Sequence, residues 1–283
     1  MIHWMMPWQV AFWCCGGLFA AALAFRFSRV PLLVKLMSFP RELGFVLGLF
    51  GLWQVAGMLS VMKVDGAITR GKWIWDAERT LFLPSEHWFQ GLFLPHPSVV
   101  KFMNLYYASM HFTCMIFFLI WLFLRHRDAY PRVRTTLAMA TAASLAIQLI
   151  PVAPPRMINK GMVDTALAYG QSVYGPMNAD SPDQLSAMPS VHVAWAVLVG
   201  FTIWRVSTSK WRWIGPLHTV LTITVVTATA NHYWADGIVA VALLLLSAGL
   251  QWLARRVAER FRREPVPSGD VPSPELADIA RST

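Results

Sequence analysis

Asn231-His-Tyr-Trp-Ala-Asp236 runs directly into Gly237-Ile-Val-Ala-Val-Ala-Leu-Leu-Leu-Leu-Ser-Ala-Gly-Leu-Gln-Trp-Leu-Ala254. The second part holds no Asp, Glu, Lys or Arg over 18 residues. That is the length of a helix crossing the hydrocarbon core, which takes roughly 17–25 apolar residues. Backbone polar groups have no partner in lipid, so a spanning segment must be a helix or part of a closed barrel. Barrel strands alternate polar and apolar over about ten residues, and nothing here alternates in that way. The first part sets a histidine and a carboxylate four residues apart at the head of this span. Asp236 is the only carboxylate between Asp183 and Glu259.

Six further stretches of the same kind lie at about 9–25, 43–62, 103–124, 135–152, 189–204 and 213–230. The fold class expected is all-α: a polytopic membrane bundle of about seven transmembrane helices, a six-helix core plus one N-terminal span. Composition agrees, with 56% hydrophobic and only 14% charged residues, against about 25% charged in a soluble domain. A secretory signal needs a basic n-region. Met1 to Phe25 has no Lys or Arg, so Gln9–Phe25 reads as a retained first span. Cys14, Cys15 and Cys114 all fall within predicted spans, which argues for apolar fillers rather than a disulfide framework.

The net charge of +9 invites a nucleic-acid reading, but its distribution follows topology. Of the 24 basic residues, four lie in 26–42, four in 125–134, three in 205–212 and six after Ala254. The alternate segments hold seven, five of them in 63–102 and two in 153–188. Lys and Arg mark the cytoplasmic side. The expected orientation is therefore N-terminus outside and C-terminus cytoplasmic, in a bacterial plasma membrane, with no nucleic-acid partner. The basic start of the tail suits anionic headgroups.

Three units follow: an N-terminal span and cytoplasmic loop (1–42), a membrane-embedded core (43–254), and a tail (255–283) that is basic and then, over 264–283, Pro- and Ser-rich and expected to be disordered. Within the core, the interleaved Trp and charged residues of 63–102 suit helices lying in the interface. The Gly- and Pro-rich 153–188 reads as a loop that ends at Met188-Pro189-Ser190.

Ionisable groups bordering a span are functional candidates because burying them is costly. His232 and Asp236, four apart on one helix face, allow the carboxylate to fix the imidazole tautomer; the competing reading is a helix cap. Pro189 suits the first turn of a helix, whose free N–H groups attract phosphate. Ser190 can add a hydroxyl there and His192 a proton; the competing reading is an N-cap serine beside an interfacial histidine. The topology puts both elements on the extracytoplasmic side. Two histidines, a carboxylate, a helix N-terminus and Arg156 make a phosphoryl-transfer set without a metal: one His attacks phosphorus, the other protonates the leaving oxygen, and cationic or N–H donors hold the remaining oxygens. No cluster has metal-ligand spacing, and no cofactor is expected.

Met188-Pro-Ser-Val-His192, followed by Asn231-His-Tyr-Trp-Ala-Asp236, resembles the type 2 phosphatidic acid phosphatase superfamily, whose motifs read P-S-x-H and H-x-x-x-D. Pro151-Val-Ala-Pro-Pro-Arg156 and Trp75-Asp-Ala-Glu-Arg79, with Glu86 and Gln90, look like its inositol phosphorylceramide synthase-like branch. The likeness covers roughly residues 60–250. It implies that His232 is a nucleophile forming a phosphohistidine, that Asp236 orients it, that His192 is the general acid, and that Ser190 and Arg156 bind phosphate. Leu149 and Val226 stand where the phosphatase motifs have Lys and Arg, and Val191 where they have Gly. Phosphate coordination should therefore differ from the phosphatase type. His111, Asn231, Glu86, Gln90 and Tyr107 are further candidates for lining the substrate site; His218 reads as structural and remote from the motifs.

The function expected is a phosphotransferase acting on a lipid-linked phosphate or phosphodiester headgroup, with inositol phosphate as the candidate. The alternatives are a lipid phosphate or polyprenyl diphosphate phosphatase using the same residues, and a non-catalytic transport or structural protein. The partners expected are the membrane and a phospholipid, glycolipid or polyprenyl phosphate. Paired broken helices, the mark of a transporter, are not evident.

Overall fold

The structure, a computed structural model, describes residues 6–60, 65–172 and 182–263. Eleven α-helices occur among these residues: α1 (Trp8–Arg26), α2 (Pro31–Leu36), α3 (Ser38–Ser60), α4 (Ala67–Thr80), α5 (Glu86–Gly91), α6 (Pro97–Arg125), α7 (Tyr130–Gln148), α8 (Thr165–Ala168), α9 (Val191–Val206), α10 (Ile214–Ala228) and α11 (Trp234–Arg263). No strand is present among the described residues beyond one isolated bridge, Val152 to Ser186. The chain is an all-α membrane bundle.

The seven predicted spans fall on α1, α3, α6, α7, α9, α10 and α11 in order. Trp8–Arg26, Pro97–Arg125 and Trp234–Phe261 are long and apolar enough to cross a bilayer by themselves; α9 is a shorter apolar helix. α3, α6 and α7 start several residues before the predicted spans, at Ser38, Pro97 and Tyr130, and two span ends shift as well. α7 stops at Gln148 rather than near 152, because the chain must run extended for Val152 to bond Leu185 O and Ala187 N. Pro151, Pro154 and Pro155 supply no amide to continue a helix there. α11 runs on through Arg263, its 30 residues giving about 45 Å at 1.5 Å each; the basic residues from Arg255 thus continue the last span. Residues 264–283, read as a disordered tail, lie outside the described residues.

The core is packed from α6, α7, α9 and α11 through Phe118, Leu122, Leu137, Leu198, Val199 and Leu244. α9 and α10 cross at two glycines: a Cβ on Gly200 would sit 2.7 Å from Gly215 O, and one on Gly215 would sit 2.6 Å from Gly200 O. Small residues at a crossing let backbones approach closely in a membrane, and Thr219 adds a hydroxyl bond of 2.7 Å to Ala196 O. Outward faces remain apolar, with Phe117, Phe201, Leu217, Val220 and Leu245 exposed. α1 packs on α3, with Phe19 edge-on to Phe45 at 5.1 Å.

Contacts sort the loops onto two ends. At one end Glu42 pairs with Arg134 and Arg41, and Gln251 bonds Arg132 O at 3.1 Å. Two of the basic segments, 26–42 and 125–134, meet there beside α11. At the other end the interfacial α4 and α5, the 151–172 segment and the starts of α9 and α11 converge. Arg70 bonds Pro151 O at 2.6 Å, Ala153 N bonds Ala67 O at 3.1 Å, and Tyr233 OH donates to Ala153 O at 2.9 Å.

Candidate active site

The turn between α10 and α11 is closed by two amides on one carbonyl: Asn231 N and His232 N both reach Val226 O, at 3.1 and 3.2 Å. Ala230 accommodates the reversal at φ +53. Tyr233 is then the cap of α11, and Asp236, three residues on, accepts its amide at 2.8 Å through Oδ2. That is the reciprocal half of a capping box. The same oxygen lies 3.3 Å from His232 Nδ1. Asp236 thus serves both readings of its spacing, cap and orienting partner.

His232 Nδ1 also lies 2.8 Å from Ala187 O. A carbonyl and a carboxylate only accept, so Nδ1 carries the proton and Nε2 bears the lone pair. Nε2 faces His192 Nδ1 at 3.3 Å, which then donates to it. Burial holds the His232 pKa down to about 4, with the nearby Arg156 charge adding to the effect and the Ala187 bond opposing it. His232 is therefore neutral at pH 7, which a nitrogen nucleophile requires.

His192 stands in the first turn of α9. Ser190 caps that helix, its Oγ accepting Val193 N at 3.3 Å, and its own amide bonds Asp236 O at 3.2 Å, tying the two helix starts together. Gln148 secures the approach through Pro189 O at 2.9 Å. The His192 ring is flanked by Tyr107, stacked at 4.6 Å, and by His111 at 4.1 Å. His111 stacks in turn on Trp195 at 4.3 Å, whose Nε1 donates to Thr141 at 2.9 Å.

Arg156 is held from three sides: Nε on Asp164 at 3.0 Å, Nη2 on Gln184 at 3.2 Å and Nη1 on Asn231. Its amide bonds Ala230 O at 3.0 Å, so the residue is fastened to the His232 turn.

Eight of the ten sequence candidates gather here: His232, His192, Asp236, Ser190, Arg156, Asn231, Tyr107 and His111. Ser190 is fully buried and acts as the cap. Glu86 and Gln90 line neither of the two recesses that meet at Tyr107. Both are buried and bonded to backbone. Gln90 donates to Val163 O and Ala228 O and accepts Val163 N, while Glu86 accepts Trp234 N. The face they share turns inward, because α5 packs on α10. His218 is closer to the site than its position implied: bonded to Tyr106 OH at 2.7 Å, it lines the same recess as His192. Asn104, Asp164, Gln184 and Trp195 escaped the sequence reading. Only Trp195, one helical turn beyond His192, carried a spacing that could have flagged it.

Two recesses meet at Tyr107. One lies along α6, α9 and α10, with Met115, Val199, Val225 and Val226 beside the imidazoles of His111, His192 and His218 in its wall. The other has more polar side chains in its wall, Asn104, Arg156, Asp164, Gln171 and Asn231 among them.

A family model described as the PAP2 superfamily matches residues 72–250, well over half of the chain. The chain belongs to the PAP2 superfamily. No curated protein and no solved structure gives a significant match. As a PAP2 superfamily member it is an integral membrane protein of phosphatase or phosphotransferase type acting on lipid. The matched span takes in most of α4 and every candidate residue, and it leaves α1–α3 outside.

Proposed function

We propose that this protein is a phosphotransferase that moves the phosphate-linked headgroup of a lipid phosphodiester onto an alcohol, through a phosphohistidine on His232 at the extracytoplasmic face. The observation that carries this reading is the pair of recesses that meet at Tyr107, the ring stacked on His192. His192 lines the more apolar one, and Arg156 with Asn231 lines the one richer in polar side chains. An amphiphile whose phosphorus enters between His232 Nε2 and His192 Nδ1 would lay its chains toward His192 and its hydroxylated headgroup toward Arg156.

The bond order follows. His232 Nε2 attacks phosphorus while the phosphorus–oxygen bond to the lipid breaks. His192, entering as imidazolium against the anionic phosphate, gives its proton to the lipid oxygen. The headgroup phosphate stays on His232, with Arg156 facing its non-bridging oxygens and Asp236 keeping the ring oriented. An acceptor alcohol then gives its proton to His192 and attacks phosphorus, and the His232–phosphorus bond breaks. Inositol phosphate, with many hydroxyls, suits the amide and carboxylate lining of the recess at Arg156. Water as acceptor would make the same site a hydrolase.

The test is product analysis with purified protein and vesicles of single phospholipids, phosphatidylinositol first, with and without an added lipid alcohol. Release of free diacylglycerol with headgroup phosphate transferred to the alcohol, absent in His232→Ala, is the expected outcome. Phosphatidic acid as product, or free headgroup phosphate that no alcohol diverts, would overturn transfer.

A further inference from the structure

Three consecutive amides open α11, and a buried carboxylate takes each of them. Tyr233 N goes to Asp236 at 2.8 Å, Trp234 N to Glu86 Oε1 at 3.4 Å and Ala235 N to Glu78 Oε1 at 2.7 Å. Helix caps normally come from the residues beside the helix start. Glu78 and Glu86 instead arrive from two interfacial helices, 157 and 148 positions away. Both are essentially fully buried, as is Asp236. The cation that pairs with the two glutamates is Arg79, whose Nη2 lies 3.4 Å from each. Burying carboxylates this way is costly and gives little net stability. Burial, and after it the bond and charge of Glu86, push the Glu78 carboxyl up to about 9. At neutral pH it therefore keeps its proton, with Oε1 accepting the Ala235 amide. The Tyr233 hydroxyl is raised likewise by burial and by the three acids.

A helix N-terminus is an anion site by default, and α11 begins two residues after His232. We propose that Glu78 and Glu86 are positioning residues: by occupying the α11 amides they fix the turn that aims His232 Nε2 and keep substrate phosphate off that helix end. This rests on His232 being the nucleophile. Neither glutamate touches the reacting atoms; both act through the backbone of residues 234 and 235.

Two measurements on the full-length protein in nanodiscs separate this role from simple folding support. One is the rate at which diethyl pyrocarbonate carbethoxylates His232, followed by peptide mass; it needs no substrate. The other is kcat and KM with phosphatidylinositol vesicles. Glu78→Ala should raise carbethoxylation of His232 at least threefold and lower kcat ten- to hundredfold, with KM within threefold. Glu78→Gln keeps an acceptor oxygen and a donor toward Glu86, and should bring both values back to within threefold of the parent. Glu78→Asp, which shortens the side chain without changing its chemistry, should fall between and serves if the alanine variant does not fold. A folded Glu78→Ala or Glu78→Asp protein with the parent's carbethoxylation rate overturns the proposal, as does an unchanged kcat. If the parent does not turn over phosphatidylinositol, the functional reading loses its substrate and the carbethoxylation arm still decides this one.

Discussion

The two ends of the bundle use buried polar groups very differently. At the basic end, Glu42 is buried against Arg134 and Arg41, and it links α3 to α7. At the opposite end Glu78, Glu86, Gln90, Asn104, Gln148, Gln184, Asn231, His232 and Asp236 are all buried, and they bond largely to backbone or to one another across four or more elements. Polar burial in a bilayer is expensive. One end needs only enough of it to fasten two helices. The other accumulates it around two imidazoles, where geometry rather than stability is at stake.

The largest contrast should come from the histidines. His232→Ala should abolish turnover, and His192→Ala should lower it by about 10²–10⁴, the range for a lost general acid or base, both without loss of folded protein by gel filtration. Arg156→Ala should cost about 10²–10³ in kcat/KM, as for a lost donor to developing phosphate charge. Arg156→Lys should recover little, because only a planar fork can meet Asp164, Asn231 and Gln184 together. A full recovery by lysine would show that charge alone matters there.

A smaller effect is a pH slope confined to the site end. The Glu78 carboxyl is raised to about 9 from the ordinary 4.5 of the unfolded chain. Between those values the folded state binds more protons than the unfolded one, so stability falls as pH rises through that window. Thermal unfolding in detergent should show Tm declining from about pH 5 to 9, and Glu78→Gln, which has no proton to lose, should flatten that decline. An equal slope in the variant would place the buried charge elsewhere. Smallest at the site should be the effect of Glu42→Gln at the far end: a lowered Tm, with kcat within twofold.

Much of this was legible in the sequence. Charge-free stretches located seven helices, because lipid forbids unpaired charge and unpaired backbone alike. The rarity of His and Asp within those stretches pointed to residues 188–192 and 231–236. What stayed hidden depends on pairings between distant segments. Glu86 and Gln90 share a helical face by spacing, but only the packing of α5 on α10 turns that face inward. Arg156 could be proposed as a phosphate ligand from its local motif, yet its clamp of Asp164, Gln184 and Asn231 is assembled from three separate segments. Asp236 could be read as a cap or as an orienting carboxylate, and one oxygen serves both because the turn folds His232 back over the helix start. Arg255 to Arg263 read as the start of a tail, and the helix runs on through them, because long side chains let a helix carry charge past the bilayer surface.

The most direct test of His232 as nucleophile is to quench a single turnover of phosphatidylinositol carrying labelled phosphorus and map the label by peptide mass. The expected result is a histidine adduct of headgroup phosphate on the peptide containing His232, absent from His232→Ala and discharged when a lipid alcohol is added. Product formed at the same rate with no adduct on His232, or with the adduct on another residue, would contradict it.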